Sequence, residues 1–275
     1  MKVAVVDKKN SYSDGWISYL TENNIDFFRV NPYDNDVIDQ ILKADVFLWH
    51  FDHFNHKDAL CAKSIIFSVQ HKVKCFPNLD ECFYFDDKLS QKYLLEALNI
   101  DIPRTDVFYD RKKALHFAAE TKYPIVAKLR KGAGSGNVWL LKNKSEAKKF
   151  INKSFGKGYS IFNAKKYYQR RTKSADRNKK GNFNSAKSIY RIIQNIESTK
   201  RHQREKGYVL FQEYIENDGY DLRALVINFN KVFWVRRNIP KNDWSSSGVG
   251  DLIPSTEGVD LSFVEQALDL AKKLN

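Results

Sequence analysis

The chain has 275 residues, 43% apolar and 14% aromatic, which suits one large domain or two to three small ones with cores of their own and excludes overall disorder. No stretch approaches the ~18 consecutive apolar residues of a membrane span, and three cysteines without CxxC spacing indicate neither a disulfide framework nor a zinc site, so a cytoplasmic protein is expected. The formal net charge of +13 resembles a nucleic-acid footprint until it is located: residues 151–206 hold 16 Lys/Arg against three Asp/Glu, and the remainder is balanced. The excess charge describes an insertion rather than the fold.

"KVAVVD" at 2–7 is a continuous apolar run, the pattern of a strand buried on both faces. A helix is expected over 16–23, a strand in "DFFRVN", helical spacing in "DVIDQILKA" and another buried strand in "DVFLWH" at 45–50. Alternation of this kind implies a small parallel α/β unit. A linker follows, then a helix from about 87 to 98 and a Pro-marked turn into a new strand, which puts a boundary between Asn78 and Asp87.

From Pro124 the pattern becomes strand, glycine loop, strand: "PIVAKL", "KGAGSGN", "VWLL". "SEAKKFIN" reads as a helix with Ser145 as candidate N-cap. The basic stretch then favours a mobile or poorly packed insert by composition. Order resumes at "YVLFQEYIE", "DLRALVIN" and "KVFWVRRNI", followed by the loop "NDWSSSGVGD" and a closing helix, "LSFVEQALDLAKKLN".

Four readings compete for the glycine loop. A P-loop needs Gly-Lys-Ser/Thr opening a helix, and Gly136 is followed by Asn137 and Val138. A dinucleotide fingerprint also needs a helix, whereas "VWLL" is a good strand. A plain glycine-rich hairpin turn is the simplest alternative. The fourth is a β-hairpin lid whose backbone N–H groups close over phosphates, with glycines permitting close approach. Lys128 shifts the balance towards the lid, because an ammonium at the end of an apolar strand is costly without an anionic partner.

With these segments in this order, the chain resembles the ATP-grasp family, and within it the glutathione synthetase and ribosomal-protein glutamate ligase branch. The resemblance implies an α/β (α+β) fold, in which a small parallel α/β domain precedes an ATP-grasp domain with a Gly-rich hairpin lid. It divides the chain into a pre-ATP-grasp domain at 1–80, a linker and leading helix at 81–123, and a lid subdomain at 124–206 with the basic insertion at about 153–206. A C-terminal subdomain at 207–275 is incomplete by that pattern.

By the same resemblance, ATP would be held by Lys88, Lys128 and the flap residues Gly132, Gly134, Ser135 and Gly136. Gln212, Glu213, Tyr214 and Ile215 would meet adenine largely through backbone groups. Asp221 would lie near the ribose, and Ser245, Ser246 and Ser247 beside the phosphates. Arg223 would face the substrate, and Arg236 or Arg237 the transferred phosphoryl group. The implied activity is an ATP-dependent carboxylate–amine ligase working through an acyl phosphate. The family's Mg²⁺ ligands, an Asp and then a Glu-x-Asn pair, would be expected beyond Asn275. Homodimers are common in the family, so a homodimer is left open.

Plainer readings stand beside these. Asp221 and Arg223, two apart on one strand face, could pair with each other. Lys88 follows two aspartates and could be a solvated helix-start residue, and one of Arg236 and Arg237 could point to solvent. His50, His53 and His56, three apart after a buried strand, could hold a metal, contact substrate or form a polar loop. The insertion could recruit an acidic peptide or glycan, bind nucleic acid (for which "KKYYQRR" is the one clear aromatic–basic interleaving), or remain a solvated loop. A non-catalytic nucleotide-binding protein acting through that basic insertion is the second functional reading.

Overall fold

The computed structural model describes residues 1–9, 11–53, 55–131, 137–161, 204–239, 244, 252–254 and 261–274. The chain divides into two compact units, Met1–Gln91 and Lys92–Asn275. The division falls inside a helix, later than the expected boundary at Asn78–Asp87, because Leu79 and Cys82 pack into the core of the first unit.

The first unit is a four-stranded parallel sheet in the order β2-β1-β3-β4, formed by β1 (Lys2–Val6), β2 (Asp26–Val30), β3 (Val46–Leu48) and β4 (Lys74–Phe76). Helices α1 (Tyr12–Glu22), α2 (Val37–Ile41) and α3 (His56–Val69) connect the strands. Val3 and Val5 face a cluster with Leu20, while Ala4 and Val6 face the larger core of Phe47, Trp49 and Phe51, which explains the unbroken apolar run. In α3, Ala62, Ile65, Ile66 and Val69 recur at helical spacing on the buried side. In the sequence, this helix and β4 are masked by the aromatic and histidine residues around them. Helix α4 (Leu79–Tyr84) closes the unit with a capping box between Asn78 and Glu81. Asp87 then starts α5 (Lys88–Ala97), accepting bonds from the Leu89 and Ser90 amides at 3.2 and 3.1 Å.

The second unit holds two antiparallel sheets. One runs β5-β8-β6-β7 through β5 (Thr105–Phe108), β6 (Ile125–Lys128), β7 (Val138–Leu141) and β8 (Val209–Glu213). Helices α6 (Arg111–Glu120) and α7 (Lys144–Phe155) share one core with this sheet through Ala114, Ala118, Ala147, Phe150 and Ile151, which meet Ile125, Ala127, Leu141, Val209 and Phe211. The expected N-cap at Ser145 is corrected: Asn143 takes that place, accepting from the Glu146 amide at 3.0 Å. The other sheet runs β11-β10-β9 through β9 (Tyr220–Ile227), β10 (Lys231–Asn238) and β11 (Leu252–Pro254), and α8 (Leu261–Lys273) packs against β9 and β10.

Part of the insertion's base is described. Tyr159 and Glu205 exchange backbone hydrogen bonds of 2.9 Å in both directions, and Arg204 donates to the carbonyls of Lys157 and Gly158. Gly158 has φ +68, and a Cβ there would sit 2.7 Å from the Glu205 carbonyl oxygen, so glycine is needed at this closure. The chain thus leaves and returns at a single neck.

Candidate functional site

Side chains alternate across a strand, and the register fixes which ones share a face. In the sheet β5-β8-β6-β7, Ile125, Ala127, Val209 and Phe211 point to the helices. The opposite face therefore carries Thr105 and Val107, Leu210 and Gln212, Val126 and Lys128, and Val138 and Leu140. Three residues of this apolar face form a polar row. The Lys128 ammonium donates to Gln212 Oε1, Gln212 Nε2 donates to Thr105 Oγ1 at 2.9 Å, and Thr105 Oγ1 donates to the Pro103 carbonyl at 2.8 Å. Each donor and acceptor is used in one direction, so the orientation of the Gln212 amide is set by its neighbours. Gln212 is neutral, so this bond aims the ammonium without itself bringing a counter-charge.

The loop that follows Lys128 is pinned at its base. Leu129 donates to the Asn137 carbonyl at 3.0 Å, and the buried Asn137 side chain donates to the carbonyls of Lys131 and Ile161 at 3.0 and 2.8 Å. The Arg130 amide donates to the Tyr208 phenolic oxygen at 2.7 Å, and that hydroxyl donates to Glu205 at 2.8 Å. Burial and the Glu205 carboxylate push the Tyr208 phenol well above its usual range. Gly132, Gly134, Ser135 and Gly136 lie outside the described residues, as do Ser245, Ser246 and Ser247. At the other end of β8, the backbone of Glu213 pairs with Arg104, its carboxylate accepts from the Arg104 amide at 2.9 Å, and Tyr214 meets Trp244 edge-on. Ile215 is exposed.

The hairpin β9–β10 sorts the three candidate arginines. Register places Asp221 opposite Arg237 and Arg223 opposite Val235, all on one face. Arg237 Nε and Nη2 donate to the two carboxylate oxygens of Asp221 at 2.6 and 2.8 Å. The plainer alternative paired Asp221 with Arg223; the bidentate partner of the carboxylate is instead Arg237, across the strand and with a planar fork. Arg236 lies on the reverse face, stacked 3.9 Å over the Tyr220 ring and bonded to Asn238. Leu222, Ala224 and Val226 on that reverse face are partly buried, whereas Arg223, Leu225 and Ile227 are exposed, which identifies it as the face that α8 covers.

No family model and no curated protein matches the sequence. Solved structures do. A RimK-domain ATP-grasp protein from Sphaerobacter thermophilus superposes with a TM-score of 0.57 at 13% identity, covering 100% of this chain and 83% of that one. Carboxyaminoimidazole ribonucleotide synthase from Aspergillus clavatus, complexed with ATP, gives 0.55 at 10% identity, with 99% of this chain and 62% of that one covered. D-alanine–D-alanine ligase from Bacillus anthracis gives 0.51 at 13% identity, with 100% and 79% covered. The chain has the ATP-grasp fold.

The remaining ATP-grasp expectations fall in the first unit or concern metal. Lys88 opens α5 and is mostly buried, its ammonium 3.6 Å from Asp86, so it is not the solvated residue of the plainer reading. The metal reading of the histidines loses its geometric premise, because α3 begins only at His56 and His50 and His53 precede it. His50 meets Tyr12 edge-on and His53 lies between Phe51 and Phe85. Among the described residues no group of three or more His, Cys, Asp or Glu could hold a metal ion. The Mg²⁺ ligands that the resemblance implies would lie beyond Asn275, outside the described residues. No described helix is long and apolar enough to cross a membrane. Sequence reasoning missed Thr105, Asn137 and Arg204; Asn137, directly after the last glycine, carried a turn signal that went unused.

Proposed function

We propose that the protein is an ATP-dependent carboxylate–amine ligase. The observation that carries this reading is the ATP-grasp fold together with Lys128, whose ammonium donates to Gln212 at the edge of a largely apolar sheet face. An apolar face suits a nucleobase, and an ammonium at its edge suits the polyphosphate. The glycines 132, 134 and 136 with Ser135 would supply backbone donors above it, and the strand end from Gln212 to Ile215 would meet the adenine edge. ATP supplies the phosphoryl group that turns a carboxylate into an acyl phosphate, from which an amine displaces phosphate.

Bringing a carboxylate to a triphosphate sets like charges together, and fixed cations are what such a site must provide. Arg223, exposed on the face of Asp221 and Arg237, would take the substrate carboxylate, and Arg237 the transferred phosphoryl group. Arg236 is tied to the reverse face and drops to a packing role in this reading. A substrate-independent test is hydroxylamine trapping. The protein is incubated with ATP, Mg²⁺, hydroxylamine and single carboxylic acids, amino acids included. Hydroxamate and ADP appearing with one acid support the ligase, and their loss in Lys128→Ala ties the activity to this site. Nucleotide binding without either product for any acid would instead favour the non-catalytic nucleotide-binding protein.

A further inference from the structure

The Asp221–Arg237 pair shows how one cation of this surface is aimed. The guanidinium meets the carboxylate side-on, through Nε and Nη2, at 2.6 and 2.8 Å. Arginine has five N–H donors in a rigid fork, and this geometry uses two of them, leaving both Nη1 hydrogens and the second Nη2 hydrogen along the far edge. A bidentate pair also fixes the plane of the fork, which a single hydrogen bond would not do. The two residues stand directly opposite in the ladder, so neither side chain has to stretch to meet the other. Their side chains are 40% exposed for Asp221 and 21% for Arg237, which leaves the assembly reachable from solvent.

We propose that Asp221 is a positioning residue: it holds the Arg237 fork so that the free N–H edge receives the terminal phosphoryl group of a nucleoside triphosphate, and the pair thereby selects triphosphate over diphosphate. This rests on the nucleotide reading of the site. A purely structural cross-strand pair would stabilise the hairpin and leave nucleotide preference untouched.

The test is calorimetric titration of the full chain with MgATP and with MgADP, alongside thermal melts. In Asp221→Asn the amide nitrogen replaces one acceptor and opposes the guanidinium donors, so the fork is released. ATP affinity should fall by about tenfold while ADP affinity holds, the scale expected for loss of one charged hydrogen bond. Arg237→Gln should remove the same margin, and in the double variant the two losses should not add. If Asp221→Asn does not fold, Asp221→Glu carries the test, since it keeps the ion pair but displaces the fork by one methylene. It should keep the melting temperature and lose most of the ATP-over-ADP preference. A lowered melting temperature with an unchanged ATP-to-ADP ratio would overturn the proposal. Wild-type protein that binds neither nucleotide would overturn the ligase reading itself, a result distinct from failure of this inference.

Discussion

Two cations of the second unit are held in opposite ways. Lys128 leans on a neutral amide, and the amide in turn leans on a hydroxyl and a backbone carbonyl. Arg237 leans on a carboxylate that meets it with both oxygens. The first arrangement brings no counter-charge through its hydrogen bond and serves to aim the ammonium. The second gives up part of its field to a counter-charge and gains a fixed plane. A point charge that attracts polyphosphate and a fork that orients one group are different tools, and lysine and arginine suit them respectively. The largest effect should follow from removing the Lys128 ammonium. Lys128→Ala should weaken ATP binding by about 2–3 kcal/mol, roughly 30- to 150-fold, with little change in melting temperature. Titration with ATP reads this directly, and a loss under threefold would mean that Lys128 serves only the sheet.

The hairpin that carries Lys128 should be next in sensitivity, through its fold rather than its charge. Asn137 is 2% exposed and its amide is donated to two carbonyls on different segments, Lys131 and Ile161. Asn137→Ala leaves both acceptors without that donor in a buried setting, at a cost of about 1–3 kcal/mol. Chemical denaturation should show a lower midpoint with an unchanged slope. An unaltered midpoint would mean that water replaces the amide.

How far the sequence reaches follows the same division between local and cross-strand information. Strand β1 is readable because both of its faces are buried and no alternation interrupts Val3 to Val6. Lys128 is readable because its three strand predecessors are fully apolar. Its partners are not: Thr105 and Gln212 come from strands far apart in the chain, and only register brings them to one face. The Asp221–Arg237 pair depends on the turn between β9 and β10, where Asn228 and Phe229 both take positive φ, 50 and 55. Asn228 signals a turn, but Phe229 does not, and a shift of one residue there would have brought Arg236 to the Asp221 face. Helix α3 was missed because His56 and Lys57 mask its first turn, although Asn55 caps it through the amides of Lys57 and Asp58.

Salt separates the two cation supports. The Asp221–Arg237 pair is partly exposed, so its contribution is screened as ionic strength rises. The Gln212–Thr105 bond joins neutral groups and is not. Gln212→Leu, or Thr105→Val as the milder change, should weaken ATP binding by about 0.5–1.5 kcal/mol, and that decrement should be the same at 0.05 and at ~0.5 M salt. The decrement of Asp221→Asn should shrink over the same range. Equal salt dependence of the two decrements would remove the distinction between a neutral and a charged support.

The smallest effect expected is from cutting away most of the insertion. Its neck is closed by the Tyr159–Glu205 bridge, by Arg204 on two carbonyls and by Gly207 donating to the Ser154 carbonyl at 3.0 Å. Tyr159 also packs among Trp139 and Phe150, inside the core that supports β6 and therefore Lys128. Burial pushes its phenol up to about 12, from about 10 when exposed. The folded pKa is the higher one, so this stabilisation is complete below pH ~10 and is lost as pH rises through about 12. Replacing residues 162–203 by a short Gly/Ser link should keep the melting temperature within a few degrees and leave this alkaline dependence in place, because closing the loop costs little once its ends already meet. A variant that melts far lower, or whose alkaline transition moves down towards pH 10, would mean that the excised residues help bury Tyr159. Lys128 would then owe its setting to the insertion as well as to the sheet.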